Sequence, residues 1–493
     1  MTAYHKLCEL AREISILSST GSVLGWDQET YMPDKALHFR AKQLAYLSGR
    51  AHALATSGRF LAALEKAEGE KHPRHSKEAA NIEVMREEFE RAFRIPTKLV
   101  EEESAATTHA KAAWVEARKK SEFALFAPHL EKLLGFARLK AELWGYDGEP
   151  YDALLSGYER GARTREVAAL FDKLKPDLVS IAREAVERSK SVPEKLLRGK
   201  FPAAKQQQLN REVAESIGFD FTGGRIDTTA HPFCSTVGAG DVRLTTRYDE
   251  SDFTSSLFGV MHEAGHGMYE QGLPAEDFGL PSGTAVSLGI HESQSRLWEN
   301  HVGRSHAFWE KWLPRAAEIF PNLRGVKLKA FLAWVNRAEF SFIRVEADEA
   351  TYDLHVLLRF GIERRMVRGD LKVADVPAAW NDEFKSLFGM TPPDDRRGCL
   401  QDIHWSMGGL GYFATYSLGN LNGAQLFSTA MRQKRISDAA AMCDYAPLLA
   451  WLRTKVHARG STLMPADLMR EATGRETTPK AYLAHLRSRF LGR

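Results

Sequence analysis

Most of this chain has the residue pattern of long amphipathic α-helices, and that pattern limits the folds open to it. Apolar residues recur at helical spacing from Tyr4 to Leu17, which gives the opening segment one apolar face. Segments 76–94 and 97–120 are rich in Ala, Glu, Lys and Arg and contain neither Gly nor Pro, a composition that favours long helices. The pattern predicts a mainly α-helical protein.

One short stretch departs from the helical pattern. Residues 223–248 are rich in Thr, Val and Gly and contain short alternations of polar and apolar residues. Such a texture predicts two or three short strands joined by glycine turns. Helical spacing resumes directly after it. We therefore expect a mainly α fold with one small β-sheet.

Composition excludes several classes of protein. Of the 493 residues 44% are hydrophobic, so the chain has enough apolar surface to fold rather than stay disordered. The 67 Lys and Arg residues nearly balance the 64 Asp and Glu residues without a long run of like charge, which argues against nucleic-acid binding. No stretch reaches the ~18 apolar residues of a membrane-spanning helix, so no membrane partner is expected.

The cysteines and the N-terminal segment indicate a cytoplasmic protein. Cys8, Cys234, Cys399 and Cys443 lie far apart in the sequence, so they form neither a disulfide framework nor a CxxC metal motif. Charged residues interrupt the N-terminal segment, where a secretion signal needs an unbroken apolar run. We expect reduced thiols and a cytoplasmic location.

The first chemical motif is the pentad His262-Glu263-Ala264-Gly265-His266, in a predicted helix that begins near Asp252 or Thr254 and ends at Gly272. The two histidines are four residues apart, so both imidazoles project from one helix face and can bind one ion. Glu263 is about 100° around the helix from His262, which suits a base acting on water at that ion. A helix with two packed histidines is the structural alternative, because the pentad also arises by chance.

A catalytic zinc site needs a third protein ligand. Glu292 follows His262 by 30 residues, far enough for a loop and a second helix to return to the first. His291 is the competing candidate, but the Glu292 carboxylate completes the commoner His2Glu set. The sequence therefore predicts a Zn²⁺ site in which Co²⁺ could substitute. With Glu263 as the base, such a site hydrolyses amide bonds.

Several further motifs accompany the pentad in a recognisable order. They are His231-Pro232-Phe233, Asp241-Val242-Arg243-Leu244-Thr245, His291-Glu292-Ser293-Gln294, Ile343-Arg344-Val345-Glu346-Ala347-Asp348, Gly398-Cys399-Leu400-Gln401-Asp402-Ile403-His404-Trp405, and an opening block around Leu24-Gly25-Trp26-Asp27. Together they resemble the signature blocks of the M32 family of metallocarboxypeptidases, the carboxypeptidase Taq type. One departure is Ala414, where the family more often has proline, and it leaves the metal motif untouched.

The resemblance implies a mostly helical, zincin-like fold with a deep groove, a zinc at its floor, and usually a homodimer. Members of the family remove single residues from peptide C-termini. Carried over residue by residue, His262, His266 and Glu292 are the zinc ligands and Glu263 is the general base. Because the blocks extend from Trp26 to Trp405 with no linker between them, we expect one domain over residues 1–493.

An enzyme that acts at peptide C-termini must bind a free carboxylate, and the planar guanidinium of arginine does this best. Arg344 is the favoured clamp because its block resembles the substrate-binding segment of the family. Arg243 is the second candidate; it follows a predicted strand and could instead fix the edge of the sheet. Each arginine has a structural alternative, a salt bridge of Arg344 with Asp348 or of Arg243 with Asp241.

Four further polar residues are candidates for catalytic or substrate contacts. Tyr416 is the first choice, because a phenol near the metal can donate a hydrogen bond to the tetrahedral oxyanion. His404 is the second catalytic candidate, and His231 and Tyr412 are candidates for substrate binding. The short strands near residues 228–246 could also pair with the substrate backbone as an added strand.

Two other functions are consistent with part of the pattern. An oligopeptidase or dipeptidyl carboxypeptidase shares the pentad and a later glutamate, and the length of the released products separates it from a carboxypeptidase. A non-catalytic peptide-binding protein on the same fold is a further alternative, which the intact Glu263 and ligand set oppose. An aminopeptidase is less favoured because the Gly-x-Met-Glu-Asn segment that binds the substrate amine is absent.

Overall fold

The computed structural model describes residues 2–74, 76–194, 196–197, 199–229 and 231–493, and it is mainly α-helical with one small sheet, as predicted. The helices of the first half are α1 Ala3–Thr30, α2 Leu37–Ala55, α3 Gly58–Glu68, α4 Lys77–Phe93, α5 Thr97–Lys120, α6 Phe123–Trp144, α7 Pro150–Leu155, α8 Thr164–Ser189 and α9 Ala203–Ile217. Those of the second half are α10 Phe253–Glu270, α11 Leu288–Arg296, α12 His306–Ile319, α13 Leu328–Val335, α14 Tyr352–Arg368, α15 Val376–Phe388, α16 Ala414–Met431, α17 Lys434–Ala441, α18 Ala446–Lys455, α19 Pro465–Thr473 and α20 Lys480–Leu486. The strands are β1 Gly224–Thr228, β2 Cys234–Gly238 and β3 Asp241–Thr246.

Two compact units make up the chain, and each is formed from three separate segments. The first unit comprises Met1–Phe93, Lys195–Leu332 and Gly423–Glu476. The second unit comprises the segments Arg94–Glu194, Ala333–Asn422 and Thr477–Arg493. The single domain expected over residues 1–493 stays a prediction. None of the described helices is both long and apolar enough to span a membrane.

The small sheet belongs to the first unit, and β3 is its central strand. The strand order is β1-β3-β2, with β3 parallel to β1 and antiparallel to β2. Arg243 lies opposite Arg225 of β1 and Ser235 of β2. The expectation that Arg243 fixes the sheet edge is therefore wrong, because a strand is paired on each side of it.

Helix α10 packs on the sheet and carries the pentad. Asp252 is its N-cap, and the Asp252 carboxylate accepts a hydrogen bond from the backbone N–H of Thr254 at 2.9 Å, which satisfies one free donor of the first turn. The predicted start of the helix is confirmed. Leu257, Val260 and Met261 are fully buried, so one face of the helix anchors it in the unit while the histidines occupy another.

The second unit is held together by buried carboxylates as well as by apolar packing. Asp353 of α14 accepts hydrogen bonds from Asn420 at 3.1 Å and from the hydroxyl of Tyr482 at 2.5 Å. These bonds join three segments that lie far apart in the sequence. Because each partner is buried, the carboxylate has its donors without water, as a buried charge requires.

Candidate metal centre

Helices α10 and α11 place three ligand atoms around one point in the first unit. The Nε2 atoms of His262 and His266 lie 3.6 and 3.4 Å from Oε2 of Glu292. All three atoms lie within 4.8 Å of one another, so a single ion can contact each of them. Two imidazoles and one carboxylate are a known ligand set for catalytic zinc, and these residues therefore fit a divalent metal ion.

A glycine allows the two helices to approach this closely. A Cβ atom on Gly265 of α10 would lie 2.6 Å from the backbone oxygen of Gln294 and 2.6 Å from Cα of Ser295. Backbone atoms cannot move aside as a side chain can, so any larger residue would push α11 away. Gly265 thus sets the distance between the helix that carries the histidines and the helix that carries Glu292.

The two oxygens of Glu292 have separate partners. Oε1 accepts a hydrogen bond from Nε of Arg296 at 2.7 Å, while Oε2 accepts one from the hydroxyl of Ser295 at 3.0 Å and faces the histidines. Burial raises the pKa of Glu292, but Arg296 and the two histidines outweigh it and hold that pKa well below its usual range. Glu292 is therefore ionised and presents one oxygen to the metal position.

His262 is supported directly by a carboxylate. Its Nδ1 lies 2.9 Å from Oε2 of Glu299, which belongs to a π-helical turn at Leu297–Val302. Arg296 donates to the same Glu299 oxygen at 3.2 Å, and Arg304 lies 3.8 Å from the other. Burial raises the pKa of Glu299, but Arg296, with His262 and Arg304, lowers it to about 2.

His266 has a different support. Its Nδ1 lies 2.5 Å from Nδ1 of His291, and Nε2 of His291 lies 2.8 Å from Oε1 of Glu270. Burial raises the pKa of Glu270, but hydrogen bonds from His291 and Thr236 outweigh it and lower that pKa. His291, the competing ligand candidate of the sequence, thus contacts the side of His266 away from Glu292.

Glu263 is the only carboxylate of the pentad, and it is buried beside the ligands with 7% of its surface exposed. Burial raises the pKa of Glu263 to about 7, with His262 opposing the shift and Glu292 and Glu299 adding to it. A carboxylate with such a pKa can take up and release a proton near neutral pH.

The other two site candidates of the first unit lie on or next to the sheet. His231 is exposed in the turn before β2. Arg243 makes a two-point ion pair with Asp241 at 2.7 and 2.8 Å, and its guanidinium stacks on Trp26 at 4.3 Å from the ring centre. The salt bridge considered for Arg243 is therefore present.

Arg344 lies in the second unit and is 5% exposed. Its guanidinium donates from Nε and Nη2 to Oδ1 of Asp402 at 3.1 and 2.8 Å and from Nη1 to the hydroxyl of Tyr352 at 2.8 Å. Arg359 binds the other oxygen of Asp402 at 2.6 Å. Burial raises the pKa of Asp402, but the two arginines outweigh it and hold that pKa far below its usual range. The ion pair expected between Arg344 and Asp348 is replaced by one with Asp402.

The remaining candidates cluster around Arg344 in the same unit. Nε2 of His404 lies 3.3 Å from the hydroxyl of Tyr416. The Tyr412 ring packs at an angle against both side chains, with its centre 5.3 Å from the centre of each ring. The Arg344 guanidinium lies 4.9 Å from the centre of the Tyr416 ring. Burial lowers the pKa of His404 to about 4, although Asp402 opposes the shift, so its imidazole is neutral at pH 7. Four predicted residues thus form one polar cluster.

The residues that support the candidate ligands were not predicted from the sequence. Two of them had a signal, because Arg296 follows Glu292 by four residues and Glu270 follows His266 by four, the spacing of neighbours on one helix face. Glu299 had none, since it reaches His262 across 37 positions. Asp402 lies in the motif at residues 398–405, but no pattern in the sequence pairs it with both Arg344 and Arg359.

Comparisons with known proteins identify the family of this chain. A family described as "Carboxypeptidase Taq (M32) metallopeptidase" matches residues 6–490. "Thermostable carboxypeptidase 1" of Thermus thermophilus is 41% identical over 99% of this chain and 98% of that protein. The crystal structure of an M32 carboxypeptidase from Deinococcus radiodurans superposes with a TM-score of 0.96 at 37% identity, over 99% of this chain and 98% of that one.

The curated "Thermostable carboxypeptidase 1" of Pyrococcus furiosus is 37% identical over 97% of both chains. A divalent metal ion and peptide substrates follow from the family, and the ligand atoms of α10 and α11 are suited to hold such an ion. The chain belongs to the M32 family of metallocarboxypeptidases and is a hydrolase acting on C-terminal peptide bonds.

Proposed function

We propose that this protein is a zinc carboxypeptidase that releases single amino acids from peptide C-termini, with His262, His266 and Glu292 as ligands and Glu263 as the general base. The observation that carries it is the convergence of three ligand atoms within 4.8 Å next to a buried glutamate. Two imidazoles and one carboxylate favour zinc, and Co²⁺ suits the same ligands.

When bound, the metal ion polarises the scissile carbonyl and makes water a better nucleophile. Glu263 accepts the proton of the attacking water and then delivers it to the departing amine. Its pKa, raised to about 7 by burial, is matched to both transfers. Tyr416 is proposed to donate a hydrogen bond to the developing oxyanion, and the neutral His404 holds the Tyr416 hydroxyl at 3.3 Å.

Arg344 is the proposed clamp for the substrate carboxylate. Arg344, Arg359 and Asp402 together carry one net positive charge, because two guanidinium groups share one carboxylate. Three of the five N–H groups of Arg344 are engaged by Asp402 and Tyr352, which leaves two for a carboxylate. Arg243, neutralised by Asp241, is the weaker candidate.

Other parts of the proposal rest on the resemblance and on sequence. His231 and Tyr412 are proposed as substrate contacts, and the outer edge of β2 as a place where substrate backbone could pair. A homodimer, a groove with the metal at its floor, a single domain over 1–493 and a cytoplasmic location are proposed in the same way.

Replacing Glu263 by Gln tests the mechanism. We expect Glu263→Gln to bind one equivalent of Zn²⁺, since no ligand atom changes, and to lose hydrolysis by a factor of at least about 10² because the proton acceptor is gone. Mass spectrometry of a peptide ladder with metal-loaded protein measures product formation. Glu310→Gln, which alters an exposed glutamate of α12, is the matched control.

The same ladder separates the alternatives. Stepwise loss of single residues from the C-terminus supports the proposal, whereas release of dipeptides supports a dipeptidyl carboxypeptidase. Undiminished hydrolysis by Glu263→Gln would remove Glu263 from the role of base.

A further inference from the structure

The two metal histidines are supported in different ways. We propose that His291 is a positioning residue that holds His266 in the tautomer and orientation needed for metal binding, with Glu270 fixing His291 in turn; this rests on the metal site proposed above. No ligand role is left for His291, although it stands directly before the ligand Glu292.

The metal position determines where the hydrogen atom lies between the two imidazoles. Nε2 of His266 faces Glu292 at 3.4 Å, so Nδ1 of the same ring is the atom that meets Nδ1 of His291 at 2.5 Å. At this distance one nitrogen must donate and the other accept. A metal ion needs the lone pair of Nε2, so the hydrogen of neutral His266 is on Nδ1 and is donated to His291.

The tautomer of His291 follows from that of His266. Because its Nδ1 accepts, the hydrogen of the neutral ring is on Nε2, which lies 2.8 Å from Oε1 of Glu270. The carboxylate accepts that hydrogen, so Glu270, His291 and His266 form a chain in which every hydrogen bond has one donor and one acceptor. Moving the hydrogen of either ring to its other nitrogen would place two donors or two acceptors in contact.

Packing holds the chain of hydrogen bonds in place. The side chains of His266, His291 and Glu270 are 15%, 20% and 16% exposed, and the two rings lie 4.5 Å apart. Tyr269 packs on His291 at 5.4 Å from its centre. Both ring nitrogens of His291 are engaged, which is why His291 does not point to the metal position shared by the other three residues.

His262 provides a comparison within the same site. Its Nδ1 reaches the Glu299 carboxylate without an intermediate ring, and Glu299 is also bound by Arg296. Loss of His291 would leave this support intact. The expected consequence is a site that still binds metal through His262 and Glu292 but holds His266 loosely.

Cobalt binding tests the role of His291, because the visible absorption of Co²⁺ reports the geometry of its ligands. His291→Leu removes both hydrogen bonds, and we expect Co²⁺ to be lost to a chelator roughly 10–100-fold faster, with an altered spectrum. His291→Asn keeps a carbonyl oxygen close to the position of Nδ1, so it should restore the wild-type spectrum and most of the affinity. Glu270→Gln keeps a hydrogen-bond acceptor but loses the charge. Its rate of Co²⁺ loss should lie between the rates of His291→Leu and His291→Asn.

The chain offers a matched control in the exposed pair His306 and Glu310, whose nitrogen and oxygen lie 3.8 Å apart on α12. His306→Leu and Glu310→Gln should leave Co²⁺ binding unchanged. An unchanged Co²⁺ off-rate and spectrum in His291→Leu would overturn the proposal. If that variant fails to fold without metal, equal off-rates for Glu270→Gln and Glu310→Gln would overturn it instead.

Co²⁺ binding by these variants also distinguishes failure of the proposed role of His291 from failure of the proposed metal site. If wild-type protein and Glu292→Gln bind Co²⁺ alike, the proposed ligand set is wrong. If Glu292→Gln loses Co²⁺ while His291→Leu and Glu270→Gln do not, the ligand set stands and the role of His291 fails.

Discussion

At the scale of single residues, the decisive feature is how each charged group is paired. In the second unit, Asp402 lies between Arg344 and Arg359, so neither arginine has a carboxylate of its own. Arg243 does have one, in Asp241. A buried group with excess positive charge is suited to bind an anion, whereas a neutralised pair on a sheet is suited to hold strands.

This difference yields a prediction for Arg344. Arg344→Ala should lower kcat/KM for peptides with a free C-terminus about 10–100-fold, the range expected when a hydrogen-bonded contact between opposite charges is lost. It should matter little for C-terminally amidated peptides, which lack the charge. Asp402 keeps Arg359 as a partner in this variant, so no carboxylate is left buried and unpaired.

Arg344→Lys is the matched variant, since it keeps the charge but loses the planar pair of donors. Steady-state kinetics on a free and an amidated peptide of one sequence give the comparison. Equal losses on both peptides would assign Arg344 a structural role only.

The sequence could suggest the proposed ligands and the proposed base because their spacing is local. His262 and His266 need only a helix to meet, and Glu292 needs one turn of the chain to return. The support from Glu299 and the sharing of Asp402 depend on contacts between distant segments, which no local pattern encodes. The same limit applies to Arg344, for which the sequence suggested Asp348 of the same motif as a partner instead of the distant Asp402.

At the scale of secondary structure, the site depends on how closely α10 and α11 pack. The sequence predicted the start of α10, but neither the Ser287 cap at which α11 begins nor the distance between the two helices. Elsewhere, Pro128 lies inside α6, although proline disfavours the interior of a helix. Burial of Phe126, Leu130 and Leu133 on the same helix outweighs the one backbone hydrogen bond that proline removes.

Gly265→Ala tests the role of this packing. The added Cβ would meet backbone atoms of α11 at 2.6 Å, so we expect the helix that carries Glu292 to shift. Metal affinity should fall by a factor of roughly 10 or more, and stability by about 1–3 kcal/mol, as for other overpacked sites. Zinc affinity and thermal unfolding measure the two effects.

Gly259→Ala is the control on the same helix, because its Cβ would meet only the Thr246 hydroxyl at 3.6 Å, an ordinary contact. That variant should bind zinc like wild type and gain slightly in stability from the better helix former. Wild-type zinc affinity in Gly265→Ala would show that the close approach of α10 and α11 is not required.

At the scale of the whole molecule, the chain passes several times between its two units. The proposed metal ligands all belong to the first unit, whereas Arg344, His404, Tyr412 and Tyr416 belong to the second. Motif order predicted that these residues serve one enzyme, but it contained no information on how the chain divides. Composition predicted the mainly helical fold, since propensity and apolar period agree along most of the chain.

Metal binding in the first unit should stabilise the folded protein. A ligand that binds only the folded state stabilises it by about 2.7 kcal/mol at a free concentration of 100 Kd. Addition of Zn²⁺ to metal-free protein should therefore raise the melting temperature, and a chelator should lower it again. Glu292→Gln should abolish this shift, because one of three ligands is weakened.

Glu363→Gln is the comparison variant in the second unit. Glu363 is fully buried and accepts hydrogen bonds from Tyr151, Trp405 and the backbone N–H of Gly411 at 2.7, 2.8 and 3.0 Å. An amide there brings an extra donor among these donors, which should cost about 1–3 kcal/mol. Its melting temperature should fall with and without metal, while the shift caused by Zn²⁺ persists, since the two sites share no described partner. Differential scanning calorimetry of wild type, Glu292→Gln and Glu363→Gln, each with and without Zn²⁺, measures these melting temperatures. If Glu292→Gln shows the full shift caused by Zn²⁺, the stabilising metal binds elsewhere.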